Sequence, residues 1–214
     1  VLDMFDAAAR QVQSGAGTGV PVRLHSLLAD GIDLAAARMT LDRGWELVAP
    51  LPFGQKLNLA INAGARTLAD AQALLAGRTP ADPEVAARAA AITACADGAQ
   101  LMALADRDAT ITALLEATLA RPDDGRAADA LNACIAERAA LASRVMIEQS
   151  DIVIAVWDGA TTVQIGGTGH TIFTALEAGA PVVLIDAAAP ERWRILHAPE
   201  ALSTPRSDEV TDRK

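Results

Sequence analysis

Aromatic residues are scarce in this chain of 214 residues, which has no tyrosine, three phenylalanines and three tryptophans. Alanine, the best helix former, instead makes up about a quarter of the sequence. A core without large rings must be filled by alanine, leucine, valine and isoleucine. Such a core suits helices packed closely on a sheet better than an aromatic-rich β-sandwich. The composition therefore favours an α/β protein.

Basic charge is also in short supply, because 27 acidic residues outnumber 18 basic ones and the formal net charge is −9. A protein that neutralises phosphate backbones needs a basic surface, and one that binds single strands needs exposed rings on which bases stack. We therefore do not expect nucleic acid to be a partner.

Cysteine is rare, and long apolar runs are missing. Cys95 and Cys134 lie far apart, with no cysteine or histidine at metal-ligand spacing, so we expect two small core residues and no metal site. No apolar run approaches the roughly 18 residues that cross a bilayer, and no basic segment followed by an apolar signal core opens the chain. We expect a soluble, cytoplasmic protein without a membrane partner.

Hydrophobic periodicity predicts helices that alternate with short strands. The expected helices cover 2–13, 30–43, 57–76, 82–96, 109–120, 126–149 and 170–178. The expected strands cover 21–26, 45–50, 100–104, 151–157 and 181–185, with a further short strand near 193–196. Asp82 and Pro83 mark a helix start, as an N-cap followed by a first-turn proline. The strands at 151–157 and 181–185 are apolar on both faces, as in a parallel sheet with helices on both sides.

This alternation indicates a three-layer, Rossmann-like α/β fold with a mostly parallel sheet and an alanine-rich helical segment. We expect a single domain over 1–197, with a helical elaboration at about 57–149, and then a polar mobile tail over 198–214. Ligands of such sheets bind at the carboxyl ends of the strands. The segments expected at those ends are 26–31, 50–53, 105–106, 158–171 and Asp186.

The richest candidate segment follows the strand at 151–157. The candidate ligand-binding residues there are Asp158, Gly159, Gly166, Gly167, Thr168, Gly169 and Thr171. Glycines let a ligand approach the backbone closely, and the free N–H groups at the start of the next helix favour a phosphate or carboxylate. The alternative is a flexible turn in which glycine and threonine serve only as loop and cap residues. The segment matches neither the P-loop nor the G-x-G-x-x-G dinucleotide pattern.

Other candidates have two interpretations each. Asp158 could accept hydrogen bonds from ribose hydroxyls or simply form an Asp-Gly turn. Ser26, Asp30 and Gly31, after the strand at 21–26, could bind the ligand, and Asp30 with Gly31 could equally cap a helix. His170 could donate to a phosphate or be an exposed neighbour of the helix cap.

Residues 150–159 (SDIVIAVWDG), followed by Gly166-Gly167-Thr168 and by Gly179-Ala180-Pro181-Val182, resemble the SLOG superfamily of Rossmann-like proteins. That group includes the DprA/Smf proteins and the LOG, or "lysine-decarboxylase-like", phosphoribohydrolases, and it is related to the nucleoside 2-deoxyribosyltransferases. Residues 24–33 and 44–53 resemble its second and third strand regions. The resemblance implies a Rossmann-like fold and a nucleotide or nucleotide-derived ligand, with its phosphate at 166–171.

The sequence departs from that group in two respects. Family members usually open with a strand and a glycine-containing turn, whereas this chain begins with what reads as the following helix. We therefore expect that strand to be lacking or replaced. The catalytic glutamate of the LOG pattern would stand at Phe173, and that of the deoxyribosyltransferase pattern at Thr171. Glu177 comes one to two turns later, so the catalytic residue stays unknown.

Three functions stay open. The preferred one is a nucleotide-binding module without a cofactor. The second is an enzyme that cleaves or transfers at an N-glycosidic bond of a nucleotide, against which the missing glutamate counts. The third is a protein-interaction scaffold with a decayed site, its alanine-rich helices forming a homodimer interface.

Overall fold

The computed structural model describes residues 2–16, 21–159 and 165–202. These residues form two compact units, one up to Met146 and one from Ile147 onward. Each unit is α/β and contains its own three-stranded sheet. The described helices and strands confirm the α/β class and the presence of a parallel sheet.

The first unit contains three strands and most of the helices. Its elements are α1 (Leu2–Ala16), β1 (Arg23–His25), α2 (Ile32–Asp42), β2 (Glu46–Leu51), α3 (Gln55–Asn62), α4 (Leu68–Leu75), α5 (Pro83–Asp97), β3 (Gln100–Ala103), α6 (Asp108–Ala120) and most of α7 (Gly125–Glu148). The second unit contains β4 (Val153–Trp157), α8 (Thr168–Glu177), β5 (Val182–Asp186) and β6 (Trp193–Leu196). Short 3-10 turns lie at Ala105–Arg107 and Pro199–Leu202.

The first sheet is parallel, in the order β1-β2-β3. β2 is the middle strand, and its residues from Leu47 to Leu51 are buried, whereas all four residues of β3 are exposed. Because all three strands run the same way, their carboxyl ends meet at one edge of the sheet. The segments after His25, Leu51 and Ala103 therefore share that edge.

The second sheet is mixed. β4 and β5 are parallel, with Trp157 paired to Asp186, and β6 runs antiparallel on the other side of β5. The apolar strand predicted at 151–157 thus pairs with one described strand, and the middle position belongs to β5. The described strands therefore do not form the one mostly parallel sheet that the sequence predicts. The sequence shows which segments are extended but not which strands lie side by side, because pairing depends on long-range crossovers.

Most element positions agree with the sequence predictions, including the short strand β6. Asp82 caps α5, since its carboxylate accepts the N–H groups of Glu84 and Val85 at 2.8 and 3.3 Å, and Pro83 takes the first position. The single helix predicted over 57–76 is wrong, because the segment forms α3 and α4. Gly64 adopts a left-handed conformation (φ 70°) between them, and Thr67 caps α4 by accepting the N–H of Asp70.

Each unit has an apolar core of its own. The core of the first is built from leucine, alanine and a few larger side chains, including the fully buried Phe53 and the predicted core cysteine Cys95. The second core includes Val153, Ile172 and Val182, with Trp157 packed against it. Of the predicted tail, Ala201 and Leu202 pack on this core, and 203–214 lie outside the described residues. None of the described helices is both long and apolar enough to cross a membrane.

Candidate functional site

The second unit places Asp158 and Gly159 directly after β4, at the carboxyl end of two parallel strands. Both residues are exposed, and Gly159 has a φ of 71°, a conformation that glycine adopts without steric cost. Asp186 ends the neighbouring strand, and its carboxylate accepts the N–H of Ala188 at 2.9 Å. The register pairs Trp157 with Asp186, so two carboxylates follow adjacent strands at this edge.

The start of α8 carries most of the predicted ligand-binding residues. Gly166 has a φ of 77°, and Gly167 is the N-cap but supplies no side-chain hydrogen bond to the helix. The first intrahelical bond joins the N–H of Thr171 to the carbonyl oxygen of Gly167 at 3.0 Å. Within the described chain, the N–H groups of Thr168, Gly169 and His170 have no acceptor, as is usual in the first turn of a helix.

The side chains of this turn differ in what they can offer a ligand. Thr168 is exposed at the first helical position, and Gly169 is buried beneath it. The hydroxyl of Thr171 donates to the carbonyl oxygen of Gly167 at 3.2 Å, so its proton is used inside the helix. His170 is half-buried, and its Nδ1 atom has no hydrogen-bond partner among the described residues. The backbone N–H groups are therefore the main donors of this turn.

No carboxylate occupies position 171 or 173, where the resemblance seen in the sequence would place a catalytic glutamate. Phe173 is exposed on α8, and Glu177 is the last residue of that helix. Thr168 and Glu177 are nine positions apart, a distance of about 14 Å along a helix that rises about 1.5 Å per residue. Glu177 therefore lies far from a ligand held by the first turn.

The first unit contains the other three predicted residues, Ser26, Asp30 and Gly31, in the loop after β1. Ser26 is buried, and its hydroxyl accepts the N–H of Leu28 at 3.2 Å and donates to the carbonyl oxygen of Asp33 at 3.3 Å. These two hydrogen bonds of the Ser26 hydroxyl stabilise the loop. Asp30 and Gly31 are exposed, and Gly31 precedes α2 with a φ of 92°.

Asp33 also organises this loop. Burial raises the pKa of its carboxyl group, while the nearby backbone N–H groups of Leu27 and Ala29 favour the ionised form and oppose this rise. Leu28, between these two donors, adopts a φ of 53°, which is unusual for a residue with a side chain. The N–H of Leu28 donates to the hydroxyl of Ser26 within the loop.

The ten predicted residues thus form two groups. Ser26, Asp30 and Gly31 follow β1 in the first unit, and the other seven follow β4 in the second. Ser26 directly follows β1 and Asp158 directly follows β4, so the predicted residues follow strands of two different sheets and not of the one sheet that the sequence predicts.

A polar cluster that the sequence did not predict lies at the same edge of the first sheet. Arg138 of α7 is buried and donates to the carbonyl oxygens of Pro52 and Leu104 and to the carboxylate of Asp106. This hydrogen bond from Arg138 lowers the pKa of Asp106. Arg138 thereby ties α7 to the ends of β2 and β3. The partners lie 32 to 86 positions away in the sequence, so no local pattern signals the cluster.

The described residues include no group of three histidine, cysteine, aspartate or glutamate side chains that could hold a metal ion. No protein-family model matches the chain, and no curated protein or solved structure matches it either.

Proposed function

We propose that this chain binds a nucleotide or nucleotide-derived ligand whose phosphate lies against residues 166–171. The uncapped start of α8 carries the proposal, because three consecutive backbone N–H groups there have no acceptor within the described chain. The N-terminus of a helix favours an anion through these N–H groups and the helix dipole. Gly166 and Gly167 precede the helix without a side chain that would keep a phosphate at a distance.

Asp158 supports the nucleotide as the ligand, rather than a phosphate ion alone. It is exposed at the carboxyl end of β4, where its carboxylate can accept hydrogen bonds from ribose hydroxyls. A ligand with a phosphate and a neighbouring diol would use the N–H groups of α8 and the carboxylate of Asp158 together. The resemblance to the SLOG superfamily belongs to this proposal, as do a cytoplasmic location and a homodimer.

We propose a binding protein and not an N-glycosidic hydrolase or transferase. A binding protein and such an enzyme would share the same ligand. Glycosidic cleavage passes through a cationic sugar, which needs a positioned carboxylate. The positions expected for it hold Phe173 and Thr171, and Glu177 lies at the far end of α8. A protein-interaction scaffold would bind no nucleotide at all.

Thermal unfolding with and without ligands tests the proposal. We expect adenosine monophosphate and ribose 5-phosphate, each at millimolar concentration, to raise the Tm, because a ligand that binds only the folded state stabilises it. Adenosine, which lacks the phosphate, should raise it less. If none of a wider panel of nucleotides raises the Tm, the binding proposal fails and the scaffold is favoured. Chromatographic detection of free base after incubation with nucleoside monophosphates would favour the enzyme.

Gly167→Val tests the position of the phosphate. Gly167 has a φ of −88° and a ψ of 171°, a conformation that valine adopts readily, so the variant should fold. Its side chain would cover the N–H groups and remove the ligand-induced rise in Tm. Glu177→Gln, at the opposite end of α8, is the matched control and should show the same ligand-induced rise in Tm as the natural chain. An unchanged response of Gly167→Val would mean that the phosphate binds elsewhere.

A further inference from the structure

β6 is the outer strand of the second sheet, because β5 pairs with it on one side and no described strand pairs with it on the other. The N–H of Asp186 donates to the carbonyl oxygen of Arg192 at 3.0 Å across the two strands. Hydrogen-bonded and non-bonded pairs alternate along an antiparallel ladder, so every second residue from Arg192 onward bonds to β5. The backbone N–H and C=O groups of Trp193 and Ile195 therefore point toward the open edge.

The side chains of Trp193 and Ile195 lie on one face of β6 and are exposed, although both are large and apolar. Trp193 is 41% exposed and Ile195 is 48% exposed. The register places Ile185 and Val183 of β5 beside them on the same face. The opposite face carries Leu196, which packs in the core of the second unit. The two exposed side chains therefore extend an apolar face of the sheet to its outer edge.

Arg192 and Arg194 give the same edge a positive charge. They alternate with Trp193 and Ile195 along the chain, so their side chains lie on the other face. Arg192 is exposed and Arg194 is half-buried, and neither side chain makes a hydrogen bond or an ion pair to another described residue. In a chain with a net charge of −9, two such arginines on one strand are open to carboxylates of a partner. Tryptophan and arginine are also the residues that most often dominate binding between proteins.

From these observations we infer that β6 binds an extended acidic segment of a partner protein, which adds to the second sheet as a new outer strand. The backbone of the segment pairs with the outward N–H and C=O groups of Trp193 and Ile195, and these hydrogen bonds give affinity. Because side chains alternate along a strand, apolar residues of the segment pack on Trp193 and Ile195, and the residues between them face Arg192 and Arg194. The inferred segment therefore alternates acidic and apolar residues.

A second copy of this chain fits the open edge of β6 less well than an acidic segment does. Two copies related by a two-fold axis pair their β6 strands antiparallel. The register in which Trp193 of one copy bonds to Ile195 of the other places the two Arg194 side chains opposite each other. Like charges in that position destabilise a strand pair, whereas a carboxylate there attracts Arg194. Charge therefore favours the acidic segment.

Titration of the 15N-labelled chain with the peptide acetyl-Glu-Val-Glu-Val-Glu-amide, followed by NMR, tests this edge. We expect saturable shifts of the backbone amides of Trp193 and Ile195 and of the Trp193 indole N–H, which Trp193→Phe assigns. The indole signal of Trp45, in the first unit, should shift very little. The analogue with lysine in place of glutamate should bind at least about tenfold more weakly, because its charges repel the arginines. No shift at Trp193 and Ile195, or equal binding of the lysine peptide, would overturn the inference.

Charge reversal tests the two arginines. The double variant Arg192→Glu/Arg194→Glu should bind the glutamate peptide at least about tenfold more weakly and should prefer the lysine peptide. The control, Arg78→Glu/Arg126→Glu, changes the net charge by the same amount at exposed positions of the first unit and should bind like the natural chain. Equal weakening in the two double variants would mean that net charge alone governs binding, which would overturn the inference.

Ile195→Pro tests the backbone pairing. Proline removes the outward N–H but no bond to β5, and edge strands tolerate proline in such positions, so the variant should fold and lose peptide binding. Ile195→Val keeps the N–H and should bind. If Ile195→Pro does not fold, the glutamate peptide with its three inner residues N-methylated decides, because it keeps the charges and lacks those donors. Unchanged affinity of the methylated peptide for the natural chain would overturn the inference.

Sedimentation without peptide tests the alternative occupant. We expect the natural chain and Ile195→Val to have the same oligomeric state with and without the glutamate peptide. A dimer that the glutamate peptide dissociates would mean that a second copy, rather than an acidic segment, occupies the edge of β6, and it would overturn the inference.

Discussion

The carboxylate of Asp108 accepts the backbone N–H of Gly54 with both oxygens, at 3.0 and 3.2 Å, across 54 positions of sequence. Gly54 is the residue before α3 and supplies no side-chain cap to that helix. Asp108, the first residue of α6, therefore takes the place of a cap from a distant part of the chain. It fixes the end of β2 and the start of α3.

Gly54→Ala should destabilise the first unit. A Cβ atom at position 54 would lie 2.4 Å from Oδ2 of Asp108, so the carboxylate would have to move and its bond would weaken. We expect the free energy of unfolding to fall by about 1–3 kcal/mol in urea denaturation, the usual effect of overpacking. Gly125→Ala is the control, because nothing lies within 4 Å of its added Cβ atom. An equal loss of stability in the two variants would mean that the contact between Gly54 and Asp108 does not stabilise the first unit.

Asp108→Asn should change the pH dependence of stability. Burial raises the pKa of Asp108, with the Gly54 N–H and Arg138 acting in the opposite direction and Asp106 adding to the rise. The folded chain therefore holds this proton more tightly than the unfolded chain. The resulting stability is present below the unfolded pKa and is lost as pH rises through the folded pKa.

Asparagine does not titrate, so the comparison isolates this one group. As pH rises from about 3 to about 6, the free energy of unfolding of the natural chain should fall relative to that of Asp108→Asn. Urea denaturation at several pH values measures the difference. A constant difference, or one that grows in favour of the natural chain, would show that the pKa of Asp108 is not raised.

Arg138→Met should cost far more stability than Asp106→Asn. The first change leaves the carbonyl oxygens of Pro52 and Leu104 without their donor in a buried site, which should cost about 1–3 kcal/mol. The second removes an ion pair whose carboxylate side chain is 68% exposed and returns to water. Urea denaturation of both variants measures the stability that each change removes. Equal losses would mean that the ion pair, rather than the two carbonyl contacts, stabilises this edge.

Asp82→Ala should remove the cap of α5. Its carboxylate accepts two backbone N–H groups of the first turn, and loss of such a cap costs about 0.5–2 kcal/mol. Asp82→Ser retains a capping oxygen and should recover most of the loss in the same measurement. A serine variant as unstable as the alanine variant would argue against capping.

Structural features that adjacent residues determine can be predicted from the sequence. Features that depend on contacts between distant parts of the chain cannot. The start of α5 is marked by two adjacent residues, Asp82 and Pro83, and both act as predicted. The break between α3 and α4 also has a local signal, Gly64 followed by Thr67 and Asp70, which the apolar run from 57 to 76 obscured. In contrast, the separation of the strands into two sheets depends on pairings that adjacent residues do not determine.

The candidate sites divide in the same way. The glycine-rich start of α8 is recognisable as a candidate because glycine, threonine and their position after an apolar strand are visible in the sequence. Ser26 was found as a residue of the loop after β1, but its use inside that loop depends on Leu28 and Asp33.

The most direct test of the nucleotide proposal is an NMR titration of the 15N-labelled chain with adenosine monophosphate, with adenosine as the comparison. We expect the largest saturable shifts to fall on the backbone amides of Thr168, Gly169 and His170, and we expect adenosine to shift them much less. Gly167→Val should remove these shifts. If adenosine monophosphate leaves these three amide signals unshifted, or shifts only signals of the first unit, the phosphate does not bind at the start of α8.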